Sequence, residues 1–140
     1  MSRNIRGGFF LLVMLQALHS FEEFLFNFYE RFPPMRFAYQ NRAQLAKPAF
    51  VIFNLLLISI GLICFCCWVW PQRKGAILVV WIWIIMESLN VVAHVVWAAL
   101  IGAYNPGLVT GLLFVPVLSF LCYSIRGLSR SPKMNESINA

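Results

Sequence analysis

The most reactive side chains near the start of the chain lie inside an apolar stretch. In the sequence ALHSFEEFLFNFYERF (17–32), His19 is followed by the adjacent glutamates Glu22 and Glu23, and most of the surrounding residues are apolar. On a helix that turns ~100° per residue, these three side chains project within roughly 100° of one another. Imidazole and carboxyl groups serve as general acids, general bases and metal ligands. The stripe is therefore a candidate catalytic or metal-binding site.

A second polar stripe lies in another apolar stretch, MESLNVVAHVVW (86–97). Helical geometry places Glu87, Asn90 and His94 within an arc of roughly 60°. A charged side chain at the centre of a bilayer costs at least about 2.5–3.5 kcal/mol. The ionisable groups of the two stripes must therefore neutralise one another, stay uncharged or share a bound ion.

The composition indicates that these stripes lie in membrane-spanning helices. Of the 140 residues, 61% are hydrophobic and only 11% are charged, whereas about a quarter of a soluble domain is charged. Four apolar segments approach or exceed the ~20 residues that a helix needs to cross a bilayer, and helices satisfy their own backbone hydrogen bonds there. The predicted fold is all-α, an integral-membrane four-helix bundle in one domain. The domain covers 1–128, its spans are about 8–29, 48–70, 76–101 and 107–125, and a polar, disordered tail is predicted for 129–140.

The two stripes are predicted to meet in one layer of the membrane. The first and third spans cross in the same direction, and His19 and Glu87 each lie about 16 Å from the start of their spans. Glu22 and Asn90 share the next level, with His94 about one turn farther along. We therefore expect an interior site near the midplane. The alternative is a set of hydrogen bonds that only holds the helices together.

Three motifs resemble those of the HXXEE-motif family of small integral-membrane proteins. They are H-S-F-E-E at 19–23, N-V-V-A-H at 90–94 and Y-N-P-G at 104–107. The resemblance extends from the first span to the fourth, and the family is regarded as a candidate enzyme family because of these motifs. A fainter likeness, by analogy, is to the emopamil-binding sterol isomerases and their relatives. Those proteins also place His, Glu and Asn inside a small helical membrane bundle, but they have five helices.

The two stripes favour an intramembrane enzyme that uses acid–base chemistry on a lipophilic substrate. A carboxyl group removed from water can remain a neutral acid, and a nearby histidine can act as a base. Such a pair can move a proton in double-bond isomerisation or cyclisation. Trp83 and Trp97 flank the second stripe and are predicted to contact a flat apolar ligand, with packing or interface anchoring as the alternative. The candidate catalytic residues are His19, Glu22, Glu23, Glu87, Asn90 and His94.

Two other functions are compatible with the same residues. A Zn, Fe or Mn ion held by His19, Glu23, Glu87 and His94 would indicate a metal-dependent hydrolase or oxidoreductase. The chain has neither the H-E-x-x-H signature nor a pair of Glu-x-x-His motifs, so the cofactor is undefined and a divalent metal is one candidate. Intramembrane Glu and His also serve in proton relays. The third hypothesis is therefore a proton-coupled carrier or a lipid-binding module.

The eleven Lys and Arg residues predict orientation rather than nucleic-acid binding, because all of them lie outside the apolar spans. Seven fall on the side of the termini and four on the other, which favours both termini in the cytoplasm and a multi-pass protein of the cell (inner) membrane. The expected partners are the lipid bilayer and a hydrophobic small molecule or lipid. A homo-oligomer is a further expectation, since G-L-V-T-G at 107–111 offers small residues for close packing. The same glycines also suit turns and contacts within one chain.

Overall fold

The computed structural model describes residues 1–130, and the rest of the predicted tail lies outside that range. The described residues form helices and contain no strand, so the predicted all-α class is confirmed. Four of the helices are long and apolar enough to cross a membrane. The elements are α1 (Arg3–Leu25), α2 (Phe28–Arg31), α3 (Pro33–Ala38), a 3-10 turn (Ala43–Leu45), α4 (Ala46–Cys64) with a π-helical end (Phe65–Val69), α5 (Ala76–Ile101) and α6 (Leu108–Arg130).

The first span differs from the prediction of 8–29 at both ends. Helix α1 begins at Arg3, where the Ser2 hydroxyl accepts a hydrogen bond from the Ile5 N–H at 3.4 Å and caps the helix. It ends at Leu25 because Asn27 adopts a left-handed conformation (φ 54°), which asparagine tolerates better than most residues. The last two residues of the predicted span, 28 and 29, belong to the separate short helix α2.

The other spans differ mainly at their ends. Helix α4 starts at Ala46, and the last residues of the second predicted span are π-helical rather than α-helical. Helix α5 covers 76–101 as predicted, and glycines with positive φ stand on either side of it, Gly75 at 87° and Gly102 at 62°. Glycine adopts this conformation without the steric penalty of a Cβ. Helix α6 continues beyond the predicted end at 125 and into the predicted tail, as far as Arg130.

Helix α1 packs between α4 and α6, and α6 also packs against α5. Helix α5 meets the π-helical end of α4 near the turn that joins them. The central core includes Phe9, Val13 and Trp83, with the ring of Trp83 edge-on to Phe9 at 6.0 Å. Many large apolar side chains of the long helices point outward, among them Leu11, Leu55 and Leu100. Hydrocarbon is the solvent that suits such a surface.

A cavity of about 450 Å³ lies between α4 and α5, beyond the point where the two helices meet. Side chains of α1 form its inner wall, and the α2–α3 segment closes one end with the rings of Phe28 and Phe32. Those two rings stack at 4.7 Å, and Phe28 also contacts Trp97 of α5 at 5.7 Å. The volume is within the ~300–1,000 Å³ typical of small-molecule sites.

Close packing at Gly61 provides a test of this helix arrangement. A Cβ added there would lie 2.9 Å from the buried ring of Trp83 and 3.1 Å from Val13. We expect Gly61→Val to reduce stability by roughly 1–3 kcal/mol, as overpacking of a core does. Gly7→Val is the matched control, because a Cβ at Gly7 meets no atom within 4 Å. Thermal unfolding in detergent measures both, and equal midpoints for the two variants would contradict this packing.

Candidate functional site

The polar stripes of α1 and α5 meet through their side chains, but one helical turn away from the predicted register. His19 was predicted to lie level with Glu87, and it instead lies level with Asn90. The prediction placed each residue by its distance from the start of its apolar segment, whereas α1 begins earlier, at Arg3. The depth at which two residues face each other is determined by how the helices pack and not by that distance. Three pairs share an offset of 71 residues: His19 Nε2 with Asn90 Nδ2 at 3.1 Å, Glu23 Oε1 with His94 Nε2 at 3.3 Å, and the Gln16 amide with Glu87 at 3.1 Å.

Glu22 is held at the amino-terminal end of α6. Its Oε1 accepts from the Tyr104 hydroxyl at 2.6 Å and from the Gly107 N–H at 3.2 Å. Its Oε2 accepts from the N–H of Thr110 at 2.8 Å and from the Thr110 hydroxyl at 2.5 Å. A carboxylate is favourable at this end of a helix, where N–H groups lack intrahelical partners. Glu22 therefore caps α6 from a different helix.

Tyr104 donates a hydrogen bond to Glu22 throughout the neutral pH range. Burial of its hydroxyl and the hydrogen bond to the Glu22 carboxylate raise the pKa of Tyr104 to about 12. A raised pKa keeps the hydroxyl protonated throughout the neutral range, so it continues to donate to Glu22. The Tyr104–Glu22 bond thus joins the turn before α6 to α1.

The Glu22 contacts determine which nitrogen of His19 faces the interior. The single hydroxyl hydrogen of Thr110 is donated to Glu22, so Thr110 Oγ1 must accept from His19 Nδ1–H at 2.9 Å. His19 Nε2 then carries the lone pair and accepts from Asn90 Nδ2 at 3.1 Å. His19 is neutral in this network.

His94 is oriented in the same way by a different residue. The Asn105 amide donates from Nδ2 to the His94 carbonyl at 2.8 Å, which leaves Asn105 Oδ1 to accept from His94 Nδ1–H at 2.8 Å. His94 Nε2 therefore points away from Asn105 and toward Glu23 Oε1, 3.3 Å away. One proton is required between these two atoms for a hydrogen bond.

Glu23 is the point on which both histidines converge. Its Oε1 lies 3.3 Å from His94 Nε2 and 3.7 Å from His19 Nε2, and all three side chains are buried. The imidazole rings are perpendicular, with centroids 4.9 Å apart. Ligand atoms of these three residues lie within 4.8 Å of one another, close enough to share a metal ion. Glu87 is not part of this cluster.

Gly107 makes the close approach of the two histidines to the start of α6 feasible. Its φ is 90°, and a Cβ at this position would lie 2.5 Å from His94 Cε1 and 2.8 Å from His19 Cε1. A Cβ at Gly111, one turn later, would also approach both histidines, at 3.9–4.0 Å. These two glycines therefore face the interior site. The expectation of a homo-oligomer stays a prediction.

Glu87 forms a second carboxyl group on the cavity wall. Asn90 Nδ2 lies 3.5 Å from Glu87 Oε2 and 3.1 Å from His19 Nε2, so the amide bridges the two side chains. When the Gln16 amide nitrogen is turned toward Glu87, it donates to both carboxyl oxygens at 3.1 Å. Glu87 is buried and lines the cavity together with Asn90.

Not every predicted site residue reaches the cavity. Trp97 lines it, but Trp83 does not, because its ring packs against Phe9 and Gly61, one turn nearer the start of α5 than Glu87. Glu22 is also outside the cavity wall, since both its oxygens are directed at α6. Five of the six predicted catalytic residues line the cavity: His19, Glu23, Glu87, Asn90 and His94.

A family model described as "Protein of unknown function with HXXEE motif" matches residues 10–121, which include all these side chains. The chain belongs to the HXXEE family. The motif itself is His19, Glu22 and Glu23. No curated protein and no solved structure matches the chain, so the fainter likeness to emopamil-binding sterol isomerases is not supported.

Sequence reasoning missed the residues that orient the two histidines. Thr110 and Asn105 hold His19 and His94, and neither was proposed as a site residue. The Y-N-P-G motif was noted without a role, although it contributes Tyr104, Asn105 and Gly107. A polar residue within the first turn of the fourth span was the available signal for Thr110, because such positions can contact a buried acid at the start of a helix.

Glu22→Gln tests whether Glu22 holds α6 in place. The amide would turn an N–H₂ group toward donors that now point at a carboxylate oxygen, and unsatisfied buried donors cost about 1–3 kcal/mol. We expect a lower thermal midpoint in detergent than for Glu30→Gln, which changes an exposed side chain of the same charge. Unchanged stability in Glu22→Gln would refute the anchoring role.

Gly107→Ala tests the approach of the two histidines. Gly75→Ala is the matched control, because its φ of 87° imposes similar strain of ~1–2 kcal/mol while its Cβ meets no atom within 4 Å. The chain has only two histidines, so ¹⁵N-imidazole NMR reports on both without ambiguity. In wild type we expect a neutral Nδ1–H pattern for His19, and for His94 either the same pattern or that of an imidazolium protonated by Glu23. These signals should shift in Gly107→Ala and stay unchanged in Gly75→Ala. Identical spectra of Gly107→Ala and wild type would contradict the geometry.

Proposed function

We propose that this HXXEE protein is an intramembrane enzyme that transfers a proton to or from a lipophilic substrate. The observation that carries the proposal is the convergence of two oriented Nε2 atoms on Glu23 Oε1 at the wall of the cavity between α4 and α5. Oriented imidazoles next to a carboxyl group are what general acid–base catalysis requires. Isomerisation of a double bond and cyclisation are the reaction types that need only such groups.

Glu23 and His94 are the proposed proton-transferring pair. They share one proton, which either atom can hold, and the second carboxyl group of Glu87 lies on the same wall beyond Asn90. With a proton donor and a separate proton acceptor on one wall, the site can add one proton to a substrate and remove another from it. His19 and Asn90 position this pair, since His19 Nε2 is 3.7 Å from Glu23 Oε1.

A divalent metal ion is a second candidate, favoured by the orientation of both histidines. Ligating histidines usually donate their other N–H to a fixed acceptor, and here those acceptors are Thr110 Oγ1 and Asn105 Oδ1. His19 Nε2, Glu23 Oε1 and His94 Nε2 would supply the two-histidine, one-carboxylate set known for Zn²⁺ and Fe²⁺. The ion would supply Lewis acidity for hydrolysis or oxidation chemistry. Glu87 would then lie outside the ligand set.

The proposed location is the cell (inner) membrane, with both ends of the chain on the cytoplasmic side. The excess of basic residues on that side supports this orientation. The proposed partners are the surrounding lipid and one hydrophobic small molecule.

Deuterium incorporation tests proton transfer without a known substrate. Protein in nanodiscs is incubated in D₂O with a total lipid extract, and lipophilic products are searched for carbon-bound deuterium by mass spectrometry. We expect incorporation with wild type, a loss of at least ~100-fold for Glu23→Gln and for His94→Gln, and no loss for Glu30→Gln. Equal incorporation in Glu23→Gln and wild type would remove the proposal.

Elemental analysis of detergent-purified protein separates the two candidates. If the metal candidate holds, about one Zn, Fe or Mn ion per chain should remain bound in wild type and Glu87→Gln and be lost in His94→Gln, because His94 belongs to the ligand set and Glu87 does not. If the protein catalyses deuterium incorporation without a stoichiometric metal ion, the metal candidate is excluded and metal-free acid–base chemistry is supported.

A further inference from the structure

We infer that the cavity takes an uncharged lipophile that carries a polar group and enters from the bilayer between α4 and α5, and that it excludes anionic lipids. The inference rests on the proposed function for its site but concerns binding, which is measured separately from turnover. It narrows the substrate class to lipophilic alcohols, ketones and other uncharged molecules with a small polar group.

The charge of the cavity wall excludes an anionic head group. Among residues 1–128, the ionisable side chains that line the cavity are His19, Glu23, Glu87, His94 and Tyr39, with no lysine or arginine. A phosphate or carboxylate would therefore meet two carboxyl groups without a lysine or arginine to balance it. Like charges repel strongly where water is excluded.

The histidines do not change this balance. His19 donates from Nδ1 to Thr110 and accepts at Nε2 from Asn90, so it is neutral. Any positive charge on His94 is matched by Glu23, whose Oε1 is 3.3 Å away. The net charge of the cavity wall is therefore zero when Glu87 is protonated and negative when Glu87 is ionised.

The cavity opens sideways rather than toward the aqueous face. Phe53 of α4 and Met86 of α5 line it, and they are 64% and 41% exposed, respectively. Both lie about 10–15 Å from the start of their helices, inside the stretches that would cross the membrane. A molecule at this opening therefore comes from the hydrocarbon layer.

The two ends of the cavity indicate the orientation of the ligand. Aromatic rings of Phe28, Phe32 and Trp97 surround the end near the α2–α3 segment, whereas Gln16, Asn54 and Glu87 lie toward the opposite end. A hydrocarbon body suits the aromatic end, and a hydroxyl or carbonyl group can exchange hydrogen bonds with the amide and carboxyl groups. A phospholipid that inserted only its tail would bury these polar groups against methylenes, which is unfavourable.

Two matched probes test the inference in nanodiscs. A mid-chain diazirine analogue of hexadecanol is photo-crosslinked to the full chain, and hexadecanol or hexadecyl sulfate is added as competitor at equal membrane-bound concentration. We expect hexadecanol to displace the probe at a concentration at least 10-fold lower than hexadecyl sulfate. The double variant Glu23→Gln/Glu87→Gln should narrow that gap to less than 3-fold, because it removes the repelling charge. Equal competition in wild type would overturn the inference.

The entry route is tested with variants that fill the cavity from either wall and with a control outside it. Ala93→Trp fills the cavity wall and should reduce crosslinking at least 5-fold, whereas Ala99→Trp, at an exposed position away from the wall, should not. Ala49→Trp fills the opposite wall and gives the same test if Ala93→Trp does not fold. Full labelling of both filled variants would refute the route. Selective binding of hexadecanol without deuterium incorporation in any lipid would support this inference and remove the proposed function.

Discussion

The structure depends on the burial of one carboxylate, Glu22, at the beginning of α6. Four hydrogen bonds reach its two oxygens, and they come from Tyr104, Gly107 and Thr110. Inside a membrane an unpaired carboxylate costs at least about 2.5–3.5 kcal/mol, and the free N–H groups at the start of a helix are costly as well. Each satisfies the other. The contact fixes α6 against α1 over the same residues that surround the site.

The orientation of the histidines follows from that contact. Because Thr110 gives its only hydroxyl hydrogen to Glu22, it must accept from His19, and His19 Nε2 is thereby turned toward Asn90 and Glu23. Asn105, in the turn just before α6, orients His94 in the corresponding way. The turn before α6 and the first turn of that helix thus determine the direction of both imidazoles. The adjacent glutamates of the HXXEE motif divide into an anchor, Glu22, and a residue in the cavity, Glu23.

The side-chain contacts around the motif also show how a small membrane protein tolerates so many polar side chains. The burial of Gln16, His19, Glu23, Glu87 and His94 is balanced by side-chain contacts across α1, α5 and the start of α6. Polar groups in hydrocarbon are normally conserved for packing or function because they are expensive. In this chain the contacts that satisfy them also create a cavity wall with a distinct polar end. The same set of hydrogen bonds therefore stabilises the helix packing and orients the candidate catalytic groups, although different atoms serve the two roles.

The amino-acid sequence by itself determined the all-helical class, four spans and the two polar stripes, because each depends on local periodicity and apolar length. It also predicted that the polar residues of the two stripes lie close together, and His19, Glu23, Glu87, Asn90 and His94 line one cavity. Register, however, is a property of helix packing. The one-turn displacement of α1 against α5, the inward position of Gly107 and the core position of Trp83 all depend on which surfaces meet. Only the tertiary structure decided that Glu22 and Glu23, neighbours in the chain, have different partners, because a helix turns successive side chains by ~100° and so presents them to different helices.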